Sequence, residues 1–139
     1  MADVESEILV REIGRLGGWF GGGIGARWAA RRLPSIPFET NFELQDSLSE
    51  TASAVEVLLT KIGKRVPELE SNASAGLFHA VVGSGHLNLN PTVVRIQLQP
   101  LESCTSVFIR AVAKEGAIKQ YSAKLAVERI RTALVGKAF

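Results

Sequence analysis

The chain is poor in the residues that build catalytic and metal centres. It has one cysteine, Cys104, and two histidines, His79 and His86, among 139 residues. A lone cysteine forms neither an intrachain disulfide nor a thiolate zinc site. Two histidines without a nearby carboxylate are a weak ligand set, so no metal and no cofactor is expected. Aromatic residues make up only 6%, which leaves few platforms for stacking single-stranded bases. An excess of one charge is missing too. Sixteen basic residues face fourteen acidic ones, short of the dense basic face that nucleic acid requires. No nucleic-acid partner is therefore expected. No apolar run approaches the ~20 residues of a membrane-spanning helix. The opening MADVESEILV is acidic where a secretory leader is basic. Cytoplasmic residence is the expectation.

Glycine, by contrast, is concentrated. Six of the nine residues from Gly17 to Gly25 are glycine, interleaved with Trp19, Phe20 and Ile24 and followed by Arg27, Trp28, Arg31 and Arg32. Glycine carries a conformational-entropy penalty, which is offset where a backbone bends sharply or approaches another surface closely. Gly17, Gly21 and Gly25 recur every four residues, so on a helix they form a smooth strip for close helix contact. The flanking aromatics would supply apolar grip, and the arginines suit an anionic lipid surface. The competing reading is a flexible linker or an arm folded back on its own domain, since glycine costs ~1 kcal/mol per residue against alanine inside a helix. Gly21-x-Gly23-x-x-Ala26 also matches a loose dinucleotide fingerprint. That motif needs a preceding strand and a parallel β-α-β unit, and here an amphipathic pattern precedes it.

The remaining pattern is regular. Val4, Ile8, Leu9, Ile13 and Leu16 repeat at helical spacing. Pro34 and Pro37 mark a break, and the chain divides into an arm, residues 1–35, and one α+β domain, residues 36–139. Ile36, Phe38, Phe42 and Leu44 alternate as a strand. Ser47 and Glu50 have capping-box spacing. Leu48, Ala52, Val55, Leu59, Ile62 and Val66 then predict a helix ending at Pro67. Further strands are predicted around Leu77–Val82, Val93–Gln99 and Ser106–Lys114, and a final helix carries Ala123, Val127, Ile130 and Leu134. The expected fold is a β-α-β-β-β-α two-layer sandwich with a largely antiparallel four-stranded sheet, preceded by a helical glycine-rich arm. With the helices on the face of Phe38, Phe42, Val94, Ile96 and Leu98, the opposite face would present Glu39, Asn41, Glu43, Arg95, Gln97 and Gln99.

No catalytic signature stands out, and the expectation leans against an enzyme. The first functional reading is a binding or assembly module in which Gly17, Trp19, Phe20, Gly21, Gly25 and Trp28 mediate self-association or partner docking. The second is attachment to an anionic membrane surface through the same aromatics with Arg27, Arg31 and Arg32. The third is a small-ligand site or enzyme using His79, His86, Asn88 and Asn90, the one concentration of proton-handling and orienting side chains. Against it stands a bulge or turn at Gly83 and Gly85, with the Asn side chains bonding local backbone. The turn after Lys114 places Lys114 and Lys119 beside a helix N-terminus, where an anion could sit. Cys104 lies beside Glu102 with no cation to activate it.

Overall fold

The computed structural model describes residues 2–19, 31, 33–84, 90–115 and 120–136. In chain order its elements are α1 (Ala2–Trp19), β1 (Ser35–Leu44), α2 (Leu48–Ile62), β2 (Gly63–Arg65), a 3-10 turn (Ala73–Ala75), β3 (Leu77–Ser84), β4 (Asn90–Pro100), β5 (Thr105–Lys114) and α3 (Ser122–Gly136). The class is α+β, and the sheet is antiparallel throughout, with spatial order β1-β5-β4-β3-β2.

Two expectations are corrected. The sheet has five strands, not four. The extra strand is β2, whose Gly63, Lys64 and Arg65 pair with Val82, Val81 and Ala80. The helical stripe through Leu59, Ile62 and Val66 continues past this point in sequence, yet α2 stops at Ile62. Gly63 accounts for the break, because a Cβ there would lie 2.5 Å from the Val81 carbonyl oxygen. Only a residue without a side chain lets the backbone come this close to β3.

The second correction concerns the layers. A two-layer sandwich leaves one sheet face open, whereas here α1 packs on that face. Ile8 and Leu9 of α1 join Val66, Leu69, Val81, Val93 and Val112 in a separate buried cluster. Val81, Val93 and Val112 occupy one cross-strand row of β3, β4 and β5, so the sheet is apolar on both faces at that level. An amphipathic helix removes the row from water.

The main core lies on the other face. Val94, Ile96, Leu98, Val107, Ile109 and Ala111 of the sheet meet Val55, Leu58 and Leu59 of α2 and Val127, Ile130 and Leu134 of α3. Phe38 and Phe42 pack against this core from β1. The Ser47 side-chain oxygen caps α2 by accepting from the Glu50 amide at 3.1 Å. Among the described residues no helix is long and apolar enough to cross a membrane.

Beyond the valine row, polar and charged residues of the α1-facing surface form a second row, with Glu39, Arg110, Arg95 and His79 in register across four strands. Glu5, buried on α1, takes the Arg110 guanidinium at 2.5 Å, and Glu39 lies 3.4 Å from the same group. The helix is therefore fixed to the sheet by charge as well as by apolar contact. Breaking such a buried pair by removing one partner is costly, because the other charge stays desolvated.

Candidate functional site

A groove of about 350 Å³ opens along the short edge strand β2. Its floor is apolar, formed by Leu59, Phe78 and Ala80. Its rim carries Glu56 and Thr60 from α2, Lys64 and Arg65 from β2, and Ser71 from the following loop. The geometry follows from the length mismatch of the two edge elements. β2 covers only Ala80–Val82 of the eight-residue β3, and beyond Arg65 the loop swings away before Asn72 bridges back to Leu77. The gap between them is the groove.

The rim charges divide into committed and uncommitted. The Lys64 ammonium sits 2.6 Å from the buried Glu12 carboxylate, which also takes Arg15 at 3.3 Å. Glu56 and Arg65 form no ion pair among the described residues, either with each other or with a third group. The Thr60 hydroxyl donates to the Glu56 carbonyl at 2.8 Å. The Ser71 oxygen accepts from the His79 amide at 2.9 Å.

His79 itself is held tightly. Its Nδ1 donates to the Glu70 carbonyl at 2.5 Å, which fixes the tautomer. Burial holds its pKa below the ordinary histidine value, with the Arg95 charge acting in the same direction and the Glu70 carbonyl opposing. The imidazole thus ties the 66–76 loop to the sheet as a neutral group.

Of the candidate ligand residues read from the sequence, the two described ones, His79 and Asn90, stand apart. Asn90 pairs with Ser84, five residues along β3 from His79, a separation of roughly 17 Å at strand rise. Its side-chain amide donates to the Lys114 carbonyl at 3.2 Å and to the Ser122 hydroxyl at 2.7 Å, joining β4, β5 and α3. His86 and Asn88 lie outside the described residues, as do Phe20, Gly21, Gly25, Arg27, Trp28 and Arg32. The backbone of Gly17 and Trp19 belongs to the last turn of α1. Arg31 is exposed and lies 3.7 Å from Glu7 of α1. Among the described residues no group of three or more His, Cys, Asp or Glu is placed to hold a metal ion.

The anion position before α3 has an internal occupant. The Glu115 carboxylate accepts from the Gln120 amide at 2.8 Å and from the Ser122 amide at 2.7 Å. Tyr121 between them has a positive φ of 54°, so the two flanking amides point to one side, as in an anion-binding nest. Lys114 turns away from this position. Its buried ammonium donates to the Leu33 carbonyl at 3.0 Å and the Ser35 hydroxyl at 3.3 Å, and burial lowers its pKa.

A second hollow, about 230 Å³, lies at the start of β1 between Pro34, Ile36, Pro37, Phe38, Tyr121 and Ala123. It falls below the ~300–1,000 Å³ usual for small-molecule pockets, whereas the β2 groove falls within that range and has the polar rim that orients a ligand. Sequence reading missed Glu56 and Arg65 as a pair because it ran one helix through both. The available signal was Gly63, a helix-breaking residue between them.

No protein-family model matches this sequence, nor does any curated protein. Among solved structures the chain is similar to an uncharacterised protein from Bacillus thuringiensis, at 12% identity and a TM-score of 0.50, covering 73% of this chain and 98% of the other. It is similar in the same degree to the protein XoxI from Bacillus cereus, at 10% identity and a TM-score of 0.50, covering 73% and 94%. At these identities the likeness is one of fold.

Proposed function

We propose that the protein is a non-enzymatic binding module whose ligand site is the β2-edge groove. The observation that carries this reading is the combination of an apolar floor of Leu59, Phe78 and Ala80 with Arg65 and Glu56, which form no ion pair among the described residues, on the rim of one groove of about 350 Å³. An apolar floor beside polar groups that fix a ligand's orientation is a usual make-up of a small-molecule site. His79, which lines it, is committed to the Glu70 carbonyl and serves as support for the loop, not as a base. The test is amide chemical-shift mapping on the full chain with neutral, anionic, cationic and zwitterionic aromatic fragments. Shifts clustered at Arg65, Ser71, Phe78, His79 and Ala80 are expected. Shifts confined to the hollow at Pro34–Phe38, or none at any site, would sink this reading.

A second reading keeps the glycine-rich arm as the assembly element, through Gly17, Trp19, Phe20, Gly21, Gly25 and Trp28. The Arg31–Glu7 contact favours it, because it sets Arg31 beside α1, so that a partner surface there would lie next to the folded body. Light scattering on the full chain and on Gly21→Leu tests it: an oligomer that the substitution converts to a monomer is expected, and equal masses would remove it. The membrane alternative, with Arg27, Arg31 and Arg32 at the surface, predicts flotation with anionic vesicles that weakens with salt.

A further inference from the structure

We infer that the β2-edge groove takes a zwitterionic ligand of the amino-acid type, with Arg65 holding the carboxylate and Glu56 the ammonium; this rests on the groove being the ligand site. Opposite charges that line one small groove ordinarily close on each other. Here Glu56 comes from α2 and Arg65 from the edge strand β2, and both line the groove, yet no salt bridge joins them. Their elements are separately fixed, α2 by the core contacts of Val55, Leu58 and Leu59 and β2 by its pairing with β3. The two heads lie more than 4.0 Å apart, and a molecule bearing both charges bridges them.

The other basic group on the rim does not compete. Lys64 is held 2.6 Å from Glu12, underneath α1, so among the described lining residues one positive and one negative charge, Arg65 and Glu56, are left for the ligand. A guanidinium binds a carboxylate through two parallel N–H···O bonds, which orients as well as attracts it. The Glu56 carboxylate accepts from an ammonium. Leu59, Phe78 and Ala80 between them present an apolar floor to the ligand side chain. The volume, about 350 Å³, is near the lower end of the range for small-molecule pockets, which favours a free amino acid with an apolar side chain over a peptide.

The test is titration calorimetry on the full chain with L-phenylalanine, L-leucine and L-methionine, and with N-acetyl-L-phenylalanine and L-phenylalanine amide, each of which lacks one charge. At least one free amino acid is expected to bind, and each blocked analogue of phenylalanine to bind at least tenfold more weakly than phenylalanine. Arg65→Gln should erase the difference between phenylalanine and its amide, and Glu56→Gln the difference between phenylalanine and its N-acetyl form. Both side chains are exposed, so both variants keep the fold, which circular dichroism checks. Blocked analogues that bind as well as phenylalanine, or variants that discriminate as the parent does, would overturn the ligand class. If neutral fragments still shift the Phe78 and Ala80 amides in that case, the groove stands and the zwitterion falls. If no probe shifts those amides, both fall.

Discussion

Replacing Leu9 by alanine probes whether α1 is a structural layer of the fold. Leu9 is fully buried, and with Ile8 it meets Val66, Leu69, Val81, Val93 and Val112. Truncating a buried leucine removes its transfer free energy and leaves a cavity, together ~2–5 kcal/mol. This site sits between a helix and a sheet whose register is fixed by pairing on both sides of the valine row, so collapse around the gap is limited and ~3 kcal/mol is the expected loss. For a domain of this size that corresponds to a fall of about 10 °C in melting temperature. The control is Val4→Ala on the same helix, where the side chain is 38% exposed and the expected change is within about 0.5 kcal/mol. Urea unfolding followed by tryptophan fluorescence and by circular dichroism gives both values. If Leu9→Ala costs no more than Val4→Ala, α1 does not seal the second face of the sheet, and the packing described for that face is wrong.

Glu115→Ala strips the acceptor from the Gln120 and Ser122 amides and should cost ~1–3 kcal/mol, measured by denaturant unfolding. A loss below 0.5 kcal/mol, roughly the scale of neutral surface changes, would mean that the nest contributes nothing. For His79, burial lowers the folded pKa below 6.5. On acidification the unfolded chain takes the proton first, so this group's contribution is intact above about pH 6.5 and declines as pH falls toward the folded value. His79→Gln should flatten that part of the stability–pH curve, and an unchanged slope would refute the assignment. The Cys104 thiol has its pKa raised by partial burial and by the Glu43 carboxylate, to which it donates at 3.7 Å. Its alkylation by iodoacetamide at neutral pH should be slower than that of a free thiol, and Glu43→Gln should speed it.

What could be read from the sequence was whatever depends on near neighbours. The alternation at Val94, Ile96 and Leu98 placed a strand and assigned its buried face, and the stripe through Leu48, Ala52, Val55 and Leu59 placed α2. Ser47, three residues before Glu50, announced the cap that the structure contains. What escaped depends on contacts distant in sequence. β2 is a strand because Gly63 meets Val81, and no local pattern shows that contact. α1 was legible as an amphipathic helix, but its docking partner is a row of valines on three strands, each a single residue in its own run. Asn90 looked like a turn residue and instead bonds Lys114 and Ser122, 24 and 32 residues away. The groove was hidden for the same reason, since Glu56 and Arg65 share a rim only once the helix between them is cut short at Gly63.

The docking of α1 also sets an order of events during synthesis. Glu5 and its partner Arg110 are 105 residues apart, and β1 waits for β5 in the same way, Ser35 facing Lys114. At translation rates of ~5–20 residues per second, roughly 5–20 s pass between the emergence of α1 and that of the strand that holds it. Until β3 and β4 have been made and paired, Ile8 and Leu9 have no sheet to cover. The β3-β4-β5 meander joins neighbours through short loops and can assemble as soon as it is made. Both α1 and β1 then close onto it, α1 over one face and β1 along the β5 edge, so two segments made before the meander take their places only after it.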